Sequence, residues 1–71
     1  MTIEGFILEH CYEGQKLLIT GIGPEAEEFY EGQYNNIDDV PEQILESNLA
    51  FVWASEEYTL VLECDYKKIN E

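Results

Sequence analysis

Residues 49–66, LAFVWASEEYTLVLECDY, contain two runs of strand length, and the way they pair decides the fold. Leu49 to Ala54 and Tyr58 to Tyr66 bracket Ser55-Glu56-Glu57, which reads as the connection of a hairpin. In the second run Leu60, Leu62 and Cys64 alternate with Val61, Glu63 and Asp65. One face is therefore apolar, while the other turns acidic toward the strand end. The first run, Leu49-Ala-Phe-Val-Trp-Ala54, carries no charge to protect an exposed edge. It is expected either at the centre of a sheet or covered by a partner, a second copy of the chain included.

Working outward, Ile3 to Tyr12 sets Glu4, Phe6, Leu8, His10 and Tyr12 against Ile3, Gly5, Ile7, Glu9 and Cys11. That alternation reads as a strand with apolar residues on both faces. Lys16 to Ile22 is a second run rich in apolar and β-branched residues. Glu13-Gly14-Gln15 between them reads as the loop of a first hairpin.

Between the hairpins, Pro24 is suited to the first turn of a helix, and Glu25, Glu27 and Glu28 follow where the helix dipole favours negative charge. Gly32 ends that segment. Gln33-Tyr34-Asn35-Asn36-Ile37 reads as a loop. Asp39-Val40-Pro41-Glu42 then has the spacing of a capping box, opening a second short helix that turns Ile44 and Leu45 to the sheet and stops near Ser47. The expected architecture is one α+β domain over residues 1–71 in ββ-α-ββ order. Its antiparallel sheet is built from two hairpins and covered on one face by a short acidic helical crossover.

Charge is the strongest compositional signal. Sixteen Asp and Glu stand against three Lys and Arg, a net charge of −13 on 71 residues. From Leu17 to Tyr66 there are twelve carboxylates and no Lys or Arg. Solubility asks for a magnitude of only roughly 2–8 in a small domain, and the surplus destabilises the compact state by self-repulsion. The field repels nucleic acid and attracts basic surfaces. With 45% hydrophobic residues the chain is too apolar for a disordered acidic tail. It has no run of membrane-spanning length, and Met1-Thr2-Ile3-Glu4 has no signal-peptide pattern. A folded cytoplasmic protein is expected.

The residues that carry catalysis elsewhere are sparse here. Cys11 and Cys64 read as two buried thiols of a reducing compartment, unless the first and last strands bring them within bridging distance. Together with His10 they offer no zinc-ligand spacing, so no metal is assigned. Gly21-Ile22-Gly23-Pro24 has neither a dinucleotide fingerprint nor a P-loop. His10 is the sole histidine and no nucleophile motif accompanies it. Asn35-Asn36-Ile37-Asp38-Asp39 departs from the calcium-loop order. Neither an enzyme nor a cofactor is expected.

In a helix, Glu27 and Glu31 would share one face at about 6 Å, close to the spacing of neighbouring phosphates on a nucleic-acid strand. By length and charge the whole chain resembles the small acidic proteins with which bacteriophages block host defence or DNA-processing enzymes. These include DNA-mimicking anti-restriction, anti-CRISPR and uracil-glycosylase-inhibiting proteins. The resemblance implies a mode of action and no particular fold: an acidic face occupies a nucleic-acid channel. The expected partner is the basic surface of a nucleic-acid-binding protein, without direct nucleic-acid or membrane binding. Glu25, Glu27, Glu28, Glu31, Asp38 and Asp39 are the expected contacts, with Tyr30 and Tyr34 as apolar anchors. The alternative is an acidic accessory module that homodimerises through an edge strand, with Phe51 and Trp53 at the contact.

Overall fold

A computed structural model of the chain describes residues 1–23, 25–55 and 60–67. Helix α1 (Ile3–His10) leads into strands β1 (Lys16–Thr20) and β2 (Glu28–Gln33). A 3-10 turn (Ile37–Asp39) and helix α2 (Glu42–Leu45) follow, then β3 (Leu49–Ala54) and β4 (Leu60–Cys64). The fold is α+β, with a four-stranded sheet and two short helices.

The segment from Ile3 is a helix and not the expected strand, because its apolar residues satisfy two periods at once. Thr2 caps it, its Oγ1 accepting from the Gly5 N–H at 3.1 Å, and Glu4 occupies the favourable first turn. Ile3 and Ile7, four residues apart, are fully buried, whereas Leu8 is 63% exposed. A helix thus needs to cover only one stripe. Its start is anchored beside β3: the Ile3 N–H donates to the Ser47 carbonyl at 2.9 Å, and Leu49 N–H to the Met1 carbonyl at 2.9 Å.

With α1 removed from the sheet, β1 takes its hairpin partner from the segment expected to be the acidic helix. Residues 28–33 form β2, antiparallel to β1, with Leu17 opposite Gly32 and Ile19 opposite Tyr30. Glu13-Gly14-Gln15 is consequently a helix-to-strand turn, with Gly14 at φ 89°. The hairpin loop lies instead between Thr20 and Glu28, where Gly23 adopts φ 106°, a conformation that side chains disfavour. The expected role of Pro24 lies outside the described residues. So do Glu56 and Glu57 of the second connection and the expected strand start at Tyr58 and Thr59.

The sheet order is β2-β1-β4-β3, and its central pair, β1 with β4, is parallel. An all-antiparallel sheet is therefore corrected to a mixed one. Two antiparallel hairpins meet through β1 and β4, so β2 and β3 run parallel at opposite edges. Residues 34–48 make the crossover that this direction requires. Within it the capping box falls three residues earlier than expected. Asn36 Oδ1 accepts from Asp38 N–H at 3.0 Å, and Asp39 Oδ2 accepts from Asn36 N–H at 3.2 Å. Pro41 precedes α2 without a side-chain cap. Helix α2 nevertheless buries Ile44 and Leu45 as expected.

One face of the sheet holds the core. Leu17 and Ile19 of β1 and Leu62 and Cys64 of β4 pack with Ile3 and Ile7 of α1 and with Val40, Ile44 and Leu45 of the crossover. Cys64 is buried, Cys11 at the end of α1 is half-buried, and both thiols are free.

Candidate binding face of the sheet

Cross-strand partners project to the same side of a sheet, so the pairing register identifies the residues opposite the helices. One row across that open face is Glu31, Leu18, Val61 and Trp53, and the next is Glu28, Thr20, Glu63 and Phe51. Two bulges set this arrangement. In β2 the pairing steps from Tyr30 to Glu28 as β1 advances from Ile19 to Thr20, leaving Phe29 as the extra residue. Phe29 and Tyr30 can then both pack against the core, and Glu28 faces the open side. In β3 the extra residue is Ala50, between Leu49 opposite Cys64 and Phe51 opposite Glu63. Simple alternation would put Leu49, Phe51 and Trp53 on one face. The bulge sends Leu49 inward and the two aromatics out.

The result is an uncovered apolar patch with an acidic border. Phe51 is 57% and Trp53 50% exposed, whereas Val61 between the strands is only 1% exposed. Trp53 Nε1 donates to Glu63 Oε2 at 2.9 Å, crossing diagonally from β3 to β4. A shallow groove of about 410 Å³ opens here, with Leu18 and Val61 against Trp53, and Glu28 and Glu63 supplying carboxylates. A larger depression of about 520 Å³ lies at the sheet end beside Cys64 and Phe29, but it sets Lys67 against Glu27 and Asp65 and so carries its own cation. The open-face groove has acids alone.

The expected contact residues do not form one helical face. Glu25 and Glu27 lie in the β1–β2 loop, Glu28 and Glu31 on β2, and Asp38 and Asp39 on the 3-10 turn. All six are exposed. The expected helical pairing of Glu27 with Glu31 is replaced by Glu28 and Glu31 on the open face, because β2 is extended. Tyr30 and Tyr34 are half-buried and packed against the core. The Tyr30 hydroxyl donates to the Gln33 carbonyl at 3.3 Å. Its pKa is raised, first by burial and then by the charge of Asp39.

Phe51, Trp53 and Glu63 were absent from the expected acidic contact set. Their signal was present in the uncharged β3 run and in the acidic side of β4, but the bulge that makes them neighbours has no sequence mark. Among the described residues the one ion pair joins His10 Nε2 to Glu9 Oε2 at 3.7 Å, between exposed side chains. No group of three or more His, Cys, Asp or Glu among them is arranged to hold a metal ion, and no helix among them is long and apolar enough to cross a membrane. Comparison with protein-family models, curated proteins and solved structures gives no match.

Proposed function

We propose that this is a non-enzymatic binding protein that inhibits a larger nucleic-acid-binding protein by occupying its basic site, with exposed carboxylates standing in for backbone phosphates. The observation that carries this reading is the lack of any Lys or Arg ion partner for these carboxylates among the described residues. A net charge of −13 attracts a basic surface over about a Debye length, roughly 8 Å at physiological ionic strength. Glu25, Glu27, Glu28, Glu31, Asp38 and Asp39 contribute from the loop, β2 and the crossover. The mode of action is that of the small acidic phage inhibitors, exerted in the host cytoplasm.

The test is capture from a bacterial lysate on the immobilised protein, with duplex DNA as competitor. A nucleic-acid-binding protein should be retained at low salt, released by DNA, and held more weakly as salt rises. Retention indifferent to both DNA and salt overturns the reading.

A second reading is favoured by a separate observation. Strand β3 is a sheet edge whose residues 50–54 are all exposed, the arrangement expected of a strand that pairs with another chain. An accessory module could homodimerise there. Charge favours the first reading, since pairing two copies brings together two chains of −13. Sedimentation equilibrium distinguishes them: a monomer across the micromolar range removes the dimer.

A further inference from the structure

We infer that the groove on the open face of the sheet docks one long cationic side chain, an arginine or lysine, of a protein partner. This rests on the basic-partner reading above and assigns that partner's anchor a place. The argument begins with an uncovered face. The helices lie on the opposite side of the sheet, and the rows Glu31-Leu18-Val61-Trp53 and Glu28-Thr20-Glu63-Phe51 have no layer of the described chain over them.

Charge complementarity selects the occupant. Lys and Arg bury an apolar stem along hydrophobic surface while keeping a charged head near polar groups. Leu18 and the exposed ring of Trp53 offer such a surface over the buried Val61, and Glu28 and Glu63 are the charged groups lining the groove. Trp53 adds the aromatic ring that best attracts a cation. Its N–H is already engaged by Glu63, so ring and carboxylate are held together before a ligand arrives. A guanidinium, planar and able to stack on an aromatic ring while pairing with carboxylate, fits this set better than an ammonium. A second copy of the chain fits it poorly, because every carboxylate in the groove would meet a strongly acidic molecule.

Trp53 is the only tryptophan, so its emission reports this groove directly. The experiment titrates the full chain with a dye-labelled decapeptide of alternating Arg and Ala at about 150 mM salt, following Trp53 emission and peptide anisotropy together. Both signals should saturate at the same concentration. The Glu28→Gln/Glu63→Gln double variant should bind at least tenfold more weakly. Glu42→Gln/Glu46→Gln, which removes equal charge from α2 and its end, should stay within twofold. Circular dichroism should show both doubles folded.

Equal weakening by the two doubles overturns the inference, since total charge would then decide. Anisotropy binding without a Trp53 response also overturns it, placing the contact elsewhere while leaving the basic-partner reading intact. No binding by either signal overturns the groove alone, because DNA-competed capture tests the broader reading separately. A Trp53 shift with protein concentration and no peptide overturns it in favour of a second copy.

Discussion

The indole of Trp53 and the carboxylate of Glu63 are joined by a 2.9 Å hydrogen bond across the β3–β4 pair, although neither is the other's direct strand partner. Trp53 lies opposite Val61 and Phe51 opposite Glu63, so the bond is diagonal and ties the ring of the edge strand to its neighbour β4. Glu63→Ala should release the indole at a cost of about 0.5–1.5 kcal/mol, the net worth of one such bond. Glu63→Gln keeps an acceptor oxygen and should lose less. Urea midpoints with Trp53 emission measure both, and equal losses in the two variants would remove the hydrogen bond from the account.

Asn48 and Asp65 clamp the sheet end opposite the β3–β4 connection. The Asn48 backbone N–H donates to Asp65 Oδ1 at 2.8 Å and its side-chain Nδ2 to Oδ2 at 3.0 Å. These bonds, the side-chain one foremost, hold the Asp65 pKa below its ordinary value. A depressed carboxylate pKa adds stability that is fully present above the unfolded value and is lost as pH falls through the folded one. Asn48→Ala should therefore destabilise the protein at neutral pH, and the gap from wild type should close in acid below the ordinary aspartate range. Paired unfolding curves from pH 7 to pH 2 test this. A gap constant with pH would mean that the charge of Asp65 is not involved.

Ile7 and Leu8 separate helix from strand at the N-terminus. Ile7 is fully buried and Leu8 63% exposed. Ile7→Ala should cost about 2–5 kcal/mol, the range for emptying a buried aliphatic site, and Leu8→Ala should stay within about 0.5 kcal/mol. Comparable losses at both positions would contradict the one-sided burial of α1.

The two thiols should react in sequence. Cys64 is fully buried in the core, while Cys11 is half-buried and its thiol pKa is raised by that burial. A maleimide should label Cys11 alone in the native protein, more slowly than an exposed thiol because less thiolate is present. Cys64 should react only on unfolding. Mass spectrometry of the labelled peptides reads the order, and rapid native labelling of Cys64 would contradict its place in the core.

The exchange between residues 3–10 and 28–33 shows where local pattern stops being sufficient. Ile3, Phe6 and Ile7 fit a helical stripe, yet the same segment alternates well enough to read as a strand. Glu25 to Glu31 has helix-favouring charge, yet Phe29 and Tyr30 both need cover. In a short domain each segment makes few contacts of its own, so intrinsic preference is weak and the buried surface decides. Strand β1 could accept only one neighbour on its outer edge. Residues 28–33 took that place because a bulge at Phe29 brings both aromatics onto the core, leaving α1 to cover the same face.

The amino-acid sequence by itself determined an α+β chain, the positions of β1, β3 and β4, the inward Ile44 and Leu45, and an acidic surface far beyond the needs of solubility. These follow from properties carried by each segment alone: period, β-branching, turn residues and charge. Only the tertiary structure decided the parallel central pair, the second strand, the placing of β3 at an edge, and the meeting of Phe51, Trp53, Glu28 and Glu63 on one open face. Those depend on which segments compete for the same core and on one-residue bulges that reverse a strand's facing. Neither is a local property of the chain.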